Sequence, residues 1–336
     1  MNEIWSTFDK YRAKVEQQRE EIEKRIIGLP KFIEAIFICF YSHSERKLGP
    51  HLLVEGKVGK GKTATLEAFT RTISGAKFSR IQFTPDLKPL DLVRIVEQRE
   101  DRTLEFHPGP LFANLILADE INRAHEKTRA ALLEAMGEKQ ITIGQTTYPL
   151  EEPFFVMATQ NPIDVEGTFM LGAAQLDRFM MEIYTESLSE EEELRIAETH
   201  QEKAPEIQQV ISKSEVLEIQ DFIRRNILVD PDVRRDMIRI VRALRPEGGL
   251  VSPEEFYLLP EGERGYLFLE RGAKTRAFLK SRDHVTLSDV AALAFPILNH
   301  RIGFQYAHKD SMKNKKASEL IARAVEKVVE DGACGV

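Results

Sequence analysis

The chain has 336 residues, 47 basic against 54 acidic side chains and a formal charge of −7. Hydrophobic residues make up 42% and charged ones 30%, a balance that excludes collagen-like and disordered classes and leaves chain enough for about two domains of roughly 100–200 residues. The acidic balance disfavours a non-specific nucleic-acid binder, which neutralises phosphates with clustered Lys and Arg.

The two cysteines, Cys39 and Cys334, stand at opposite ends and give neither a disulfide framework nor a zinc quartet, as expected in a reducing, cytoplasmic setting. The first 25 residues are charged throughout, so no secretory signal is expected. The longest apolar run near them, 35–41, is far short of the ~20 residues a membrane helix needs. No membrane span is expected.

In chain order, 4–47 reads as two helices, the second carrying Phe32, Ile33, Ile36 and Phe40 at helical spacing, and Gly49-Pro50 ends them. An alternation follows: a strand at 51–55, a glycine-rich turn, a helix at 63–73 and a strand at 78–83. Further strands are expected at 115–118 and 154–159, with a helix at 128–136 between them. Strands alternating with helices predict an α/β class with a parallel sheet and its working edge at the strands' carboxyl ends. Two inserted β-hairpins are expected, 93–97 with 103–106 and 140–143 with 146–150. After Tyr184 the run Glu190 to Glu193 opens an all-helical region. The domain boundary is therefore placed at 187, with an α/β core at 1–187 and a helical lid at 188–336.

Gly56-Lys57-Val58-Gly59-Lys60-Gly61-Lys62-Thr63 fits the phosphate-loop pattern known as Walker A. Its glycines let backbone N–H groups face a phosphate, and the following helix adds its positive end. Lys62 is then expected at the β- and γ-phosphates of ATP and Thr63 at Mg²⁺, whereas Lys57 and Lys60 read equally as solvated. Leu115-Ile116-Leu117-Ala118-Asp119-Glu120 sets two carboxylates at the end of an apolar strand, expected to neighbour the phosphate-loop strand. Asp119 fits a Mg²⁺-water ligand, and Glu120 fits the group that polarises the attacking water.

From Leu117-Ala118-Asp119-Glu120-Ile121-Asn122-Arg123-Ala124 onward the chain resembles the MoxR family of AAA+ ATPases. Matching stretches include Ile27-Gly28, Arg80-Ile81-Gln82-Phe83-Thr84-Pro85-Asp86-Leu87, Gly109-Pro110-Leu111-Phe112-Ala113-Asn114, Ala158-Thr159-Gln160-Asn161-Pro162 and Gln175-Leu176-Asp177-Arg178-Phe179. The resemblance implies a P-loop core with an all-α lid, a ring, usually a hexamer, and ATP completed by the next subunit. On it, Ile27, Gly28 and Ala64 join the nucleotide-binding residues, Asn161 orients the attacking water, and Arg178 is the finger reaching the neighbour's γ-phosphate. Arg123 is a candidate second interface arginine. The lid's sensing arginine falls on Arg264, within Gly262-Glu263-Arg264-Gly265 where the family shows Ser-Pro-Arg-Ala, with Arg276 as rival. The family's prolines are absent from 166–175, small polar residues are lost from 86–92, and 248–260 reads as an extra lid loop.

The histidines show no ligand spacing, so His51 and His107 read as structural. Trp5 and the Phe32, Phe37, Phe40 cluster read as core, and the run Lys309 to Lys316 as solvated helix and turn. The function these features imply is Mg²⁺-dependent ATP hydrolysis that remodels or matures a client protein with a von Willebrand factor A domain partner. A helicase-like nucleic-acid motor and a nucleotide-gated scaffold stand as alternatives.

Overall fold

The computed structural model describes residues 2–45, 48–56, 61–98, 104–143, 145–161, 169–185, 188–199, 205–251, 256–258, 262–304 and 310–333. Five strands form its central sheet: β1 Leu52–Glu55, β2 Phe78–Gln82, β3 Leu115–Asp119, β4 Phe155–Gln160 and β5 Met181–Tyr184. They are all parallel and lie in the order β5-β1-β4-β3-β2. The carboxylate strand β3 is thus not the neighbour of the phosphate-loop strand, as the spacing suggested. Strand β4 lies between them, because the chain crosses from β1 to the far edge and fills the gap on its way back.

Alternation along the strands divides the apolar side chains between two faces. Leu52, Val54, Leu115, Leu117, Phe155 and Met157 join one core cluster, while Leu53, Ile116, Ala118, Val156 and Ala158 join the other. Helices α1 Asn2–Glu23, α2 Pro30–Tyr41 and α3 Lys62–Arg71 contribute to the first cluster, and α4 Glu126–Glu138 covers the second. In α1 the core positions are Phe8, Val15 and Ile22, a heptad spacing that lines one helical face. Trp5, expected in the core, is 44% exposed. It sits near the helix end beyond the packed stripe and touches the Phe8 ring at a centroid distance of 5.5 Å.

The two hairpins are present as antiparallel pairs, Arg94–Gln98 with Leu104–Pro108 and Gln140–Ile143 with Thr146–Pro149. Val93, read as strand, instead ends a short helix, Pro89–Val93.

The remaining helices are α5 Glu190–Thr199, α6 Lys213–Asn226, α7 Pro231–Ala243, α8 Arg264–Leu279, α9 Leu287–Leu298 and α10 Asp310–Ala333. Capping boxes fix two of their starts: Ser212 with Glu215 at α6 and Thr286 with Asp289 at α9. Two short strand pairs interrupt this helical part, Ile211–Ser212 beside Ile73–Ser74 and Phe256–Leu258 beside Gly303–Phe304. Pieces of two or three residues are too short to leave a period in the sequence. The lid buries its apolar faces in the same cluster as α1 and α2. Gln220 Nε2 donates to the Phe40 carbonyl of α2 and Arg271 Nη1 to the carbonyls of His43 and Leu48 after it, so its packing on this part of the core is directional. No helix among the described residues is long and apolar enough to cross a membrane.

Candidate nucleotide site

Strand β1 delivers the chain into Gly56 at φ 150°, and Gly61 at φ 74° caps α3. A Cβ on Gly56 would lie 1.9 Å from Thr185 Oγ1, so this entry to the loop accepts no side chain. Lys57, Val58, Gly59 and Lys60 lie outside the described residues. Lys62 opens α3 buried, and its Nζ donates to the Gly56 carbonyl at 2.9 Å, across the loop. Thr63 follows half-buried and Ala64 exposed. The start of α3 directs backbone N–H groups toward the loop, the arrangement that suits phosphate.

Asp119 ends β3 and Glu120 follows it at φ 55°. Neighbouring strands hold both. From β4, Thr159 Oγ1 donates to Asp119 Oδ1 at 2.6 Å and accepts the Glu120 N–H at 2.9 Å. From β2, Arg80 Nη2 donates to Asp119 Oδ2 at 2.7 Å and Gln82 Nε2 to Glu120 Oε2 at 2.7 Å. Residues two apart on a strand share a face, which is why Arg80 and Gln82 reach the two consecutive carboxylates together. Arg123 Nη1 stands 3.4 Å from Glu120 Oε2, so in this chain it is an ion-pair partner of that carboxylate.

Asn161 follows β4 directly, and its carbonyl accepts from Asn122 Nδ2 at 3.4 Å. Because β4 lies between β1 and β3, Asn161 stands at the sheet edge between the phosphate loop and the carboxylate pair. Ile27 and Gly28 precede α2 half-buried. A Cβ on Gly28 would come within 2.9 Å of Leu188 Cδ2, so the segment leading into α5 closes over them.

Hard oxygen donors, with glycines at Gly56 and Gly61 before the start of α3, fit Mg²⁺ and a triphosphate: magnesium takes one or two protein oxygens and fills its octahedron with phosphate and water. Thr63 and Asp119 are of that type. Among the described residues no cluster of three His, Cys, Asp or Glu side chains offers a metal cage of its own, and such a cage is not needed here.

Arg178 lies elsewhere. Met181 pairs with Leu52 and Tyr184 with Glu55, so residues just before Met181 belong to the amino edge of the sheet, opposite the phosphate loop. There Arg178 Nη1 donates to the Leu133 carbonyl of α4 at 2.5 Å, over Gly137, where a Cβ would meet that nitrogen at 2.7 Å. Next to it, Asp177 takes two lid arginines, Arg264 Nη1 on Oδ2 at 2.6 Å and Arg301 Nε on Oδ1 at 3.0 Å. Arg264 is the first residue of α8, and the Asp177 pair places it beside Arg178. The rival Arg276 donates to the fully buried Asp289 at 2.5 Å, a carboxylate also held by Arg282 through two bonds. Arg276 also stands 3.9 Å from Glu34 of α2, so it lies between lid and core and away from Asp177.

Thr159, Arg80, Gln82, Asp177 and Arg301 were not singled out from the sequence as site residues. The signal for Arg80 and Gln82 was polar alternation in a strand. Asp177 lies in the family-matching stretch beside Arg178, whereas for Arg301, 124 residues away, no local signal exists.

His51 is structural, as expected. Its Nδ1 accepts the Val156 N–H at 3.1 Å, which leaves Nε2 to donate to the Met136 carbonyl at 3.1 Å. Burial holds the ring neutral and brings its pKa down to about 4.

Comparison with known proteins bears on the family and the fold. Residues 51–181 match the model of the ATPase family associated with various cellular activities (AAA), and residues 255–323 match an AAA lid domain. A chaperone of Mycobacterium tuberculosis named MoxR1 is 36% identical over 92% of this chain and 80% of its own length. A Bacillus subtilis protein named YeaC is 36% identical over 83% of this chain and 85% of its own. A crystal structure of a candidate ATPase from Cytophaga hutchinsonii superposes with a TM-score of 0.84 at 35% identity, covering 95% of this chain and 97% of that one.

Proposed function

Since the chain belongs to the MoxR family of AAA+ ATPases, we propose that it hydrolyses MgATP in a ring whose sites are shared between subunits, and uses the cycle to remodel client proteins. The observation that carries this reading is the Thr159 hydroxyl, which ties Asp119 and Glu120 to the strand leading into Asn161. Each role needed for phosphoryl transfer to water then has a residue. Gly56, Gly61 and the start of α3 receive the phosphates, Lys62 sits over the β- and γ-groups, and Ile27 and Gly28 stand on the nucleotide's other side. Thr63 and Asp119 would hold Mg²⁺, which when bound neutralises charge on the β- and γ-oxygens. Glu120 accepts the proton of the attacking water, and Asn161 orients that water. Gln82 and Arg123 fix one Glu120 oxygen, leaving the other to meet the water.

Arg178 lies at the sheet edge away from its own loop, as a residue serving a neighbour must. Arg264 shares that edge and belongs to the same shared site. An assembly with a von Willebrand factor A domain protein in the cytoplasm, a hexameric ring and the core and lid boundary at 187 complete the proposal. The helicase-like reading has only the two hairpins in its favour.

Glu120→Gln tests it. Fluorescent ATP should bind with wild-type affinity while phosphate release falls by roughly 100-fold or more, and chelation of Mg²⁺ should abolish wild-type turnover. Turnover persisting in Glu120→Gln would remove the assignment.

A further inference from the structure

Arg301 is 3% exposed and lies in the turn Asn299–Arg301 that ends α9. A buried guanidinium is costly unless its N–H groups are all engaged, and an apolar residue of similar volume commonly serves stability as well. The way its donors are used is therefore informative. Nη2 donates to the Phe179 carbonyl at 2.8 Å and to the Asp177 carbonyl at 3.3 Å, and Nε to the Asp177 carboxylate at 3.0 Å. Nη1 donates to the Ile297 carbonyl, and the guanidinium lies 5.3 Å from the ring centroid of Phe268. Nη1 also donates to His300 Nε2 at 2.5 Å.

The residue between Asp177 and Phe179 is Arg178. One planar fork thus grips the backbone on both sides of it, which fixes the direction in which its side chain leaves the chain. We propose that Arg301 is a positioning residue for Arg178, so that the lid of one subunit aims the arginine serving the next subunit's nucleotide. This rests on the reading of Arg178 as the finger. The mechanical link is short. Ile297 belongs to α9 and Phe268 to α8, so a displacement of either lid helix moves Arg301 and the two carbonyls it holds. The Asp177 carboxylate joins Arg264 to the same unit. A lid that closes on its own subunit's nucleotide thereby reports that state across the interface.

The test is a double-mutant cycle with Arg301→Lys, which keeps the charge and loses the fork, and Arg178→Ala. Wild type, both single variants and the double variant are compared at matched assembly state by light scattering, for fluorescent-ATP affinity and steady-state hydrolysis. Arg301→Lys should bind ATP within about twofold of wild type and hydrolyse it at least about tenfold more slowly, and should cost nothing further when Arg178 is already Ala. A packing role would lower both backgrounds alike. Wild-type turnover in Arg301→Lys, or an equal loss in both backgrounds, overturns the proposal while leaving the finger intact. Wild-type turnover in Arg178→Ala removes the finger itself and the proposal with it. Should Arg301→Lys prove unstable in a melting scan, Arg301→Met, an apolar residue of similar volume that loses every bond of the fork, carries the same expectations through the same cycle.

Discussion

Thr159 Oγ1 donates to Asp119 Oδ1 at 2.6 Å while accepting the N–H of Glu120 at 2.9 Å. One hydroxyl sets the Asp119 carboxylate and the Glu120 backbone relative to the strand that ends at Gln160, before Asn161. Thr159→Val keeps the shape and removes both bonds. Hydrolysis should fall by roughly 100-fold, the scale of a small misplacement of catalytic groups, with ATP affinity changed by less than about threefold. Steady-state phosphate release beside nucleotide titration measures both, and an unchanged rate would show that Thr159 does not set the pair.

Gly56→Ala places a Cβ where Thr185 Oγ1 stands, 1.9 Å away, in a backbone conformation of φ 150° that side chains avoid. ATP binding should weaken at least about tenfold. Adding Thr185→Gly should recover part of it, since the φ strain remains. Full binding by Gly56→Ala alone would show that the loop entry is not so constrained.

Arg264 discriminates between two placements of the lid arginine. If it works beside Arg178 on the neighbour's nucleotide, Arg264→Ala should leave ATP affinity of dilute, unassembled chain within about twofold and reduce hydrolysis by the assembly roughly tenfold. An affinity loss already present in the isolated chain would place it over its own subunit's nucleotide instead.

His51 gives the fold a pH dependence. The unfolded chain takes up a proton near 6.5 and the folded chain only near 4. Between those values the unfolded state binds more protons, so the contribution is complete above 6.5 and is lost as pH falls toward 4. Urea unfolding should show about 2 kcal/mol less stability at pH 5 than at pH 7 from this residue. In His51→Gln, whose amide offers one acceptor and one donor, that slope should flatten. An equal slope in both proteins would assign it to other groups.

Much of this was legible because it is local. The phosphate loop, the apolar strand before Asp119 and the hairpins each leave a pattern within about ten residues, and the MoxR resemblance supplied roles for Asn161 and Arg178. Strand order left none. Nothing in 115–119 says that β4 will stand between β3 and β1, and this insertion brings Thr159 to the Asp119 carboxylate and the Glu120 backbone N–H. Likewise, the resemblance puts the lid arginine on Arg264 with Arg276 as rival, and only the fold shows Arg276 bonded to Asp289 and Arg264 to Asp177. Trp5 failed for the opposite reason, since an aromatic residue at a helix end can lie past the edge of the core it points toward.

The shared site is tested most directly by mixing two inactive proteins. Glu120→Gln has no working site of its own but an intact Arg178, and Arg178→Ala has an intact site but no finger. Each alone should hydrolyse ATP at least about tenfold below wild type, and mixing them should restore a substantial part of the rate, because Arg178 of one chain completes the site of the other. A mixture no more active than its components, although light scattering shows the two assembled together, would contradict the account.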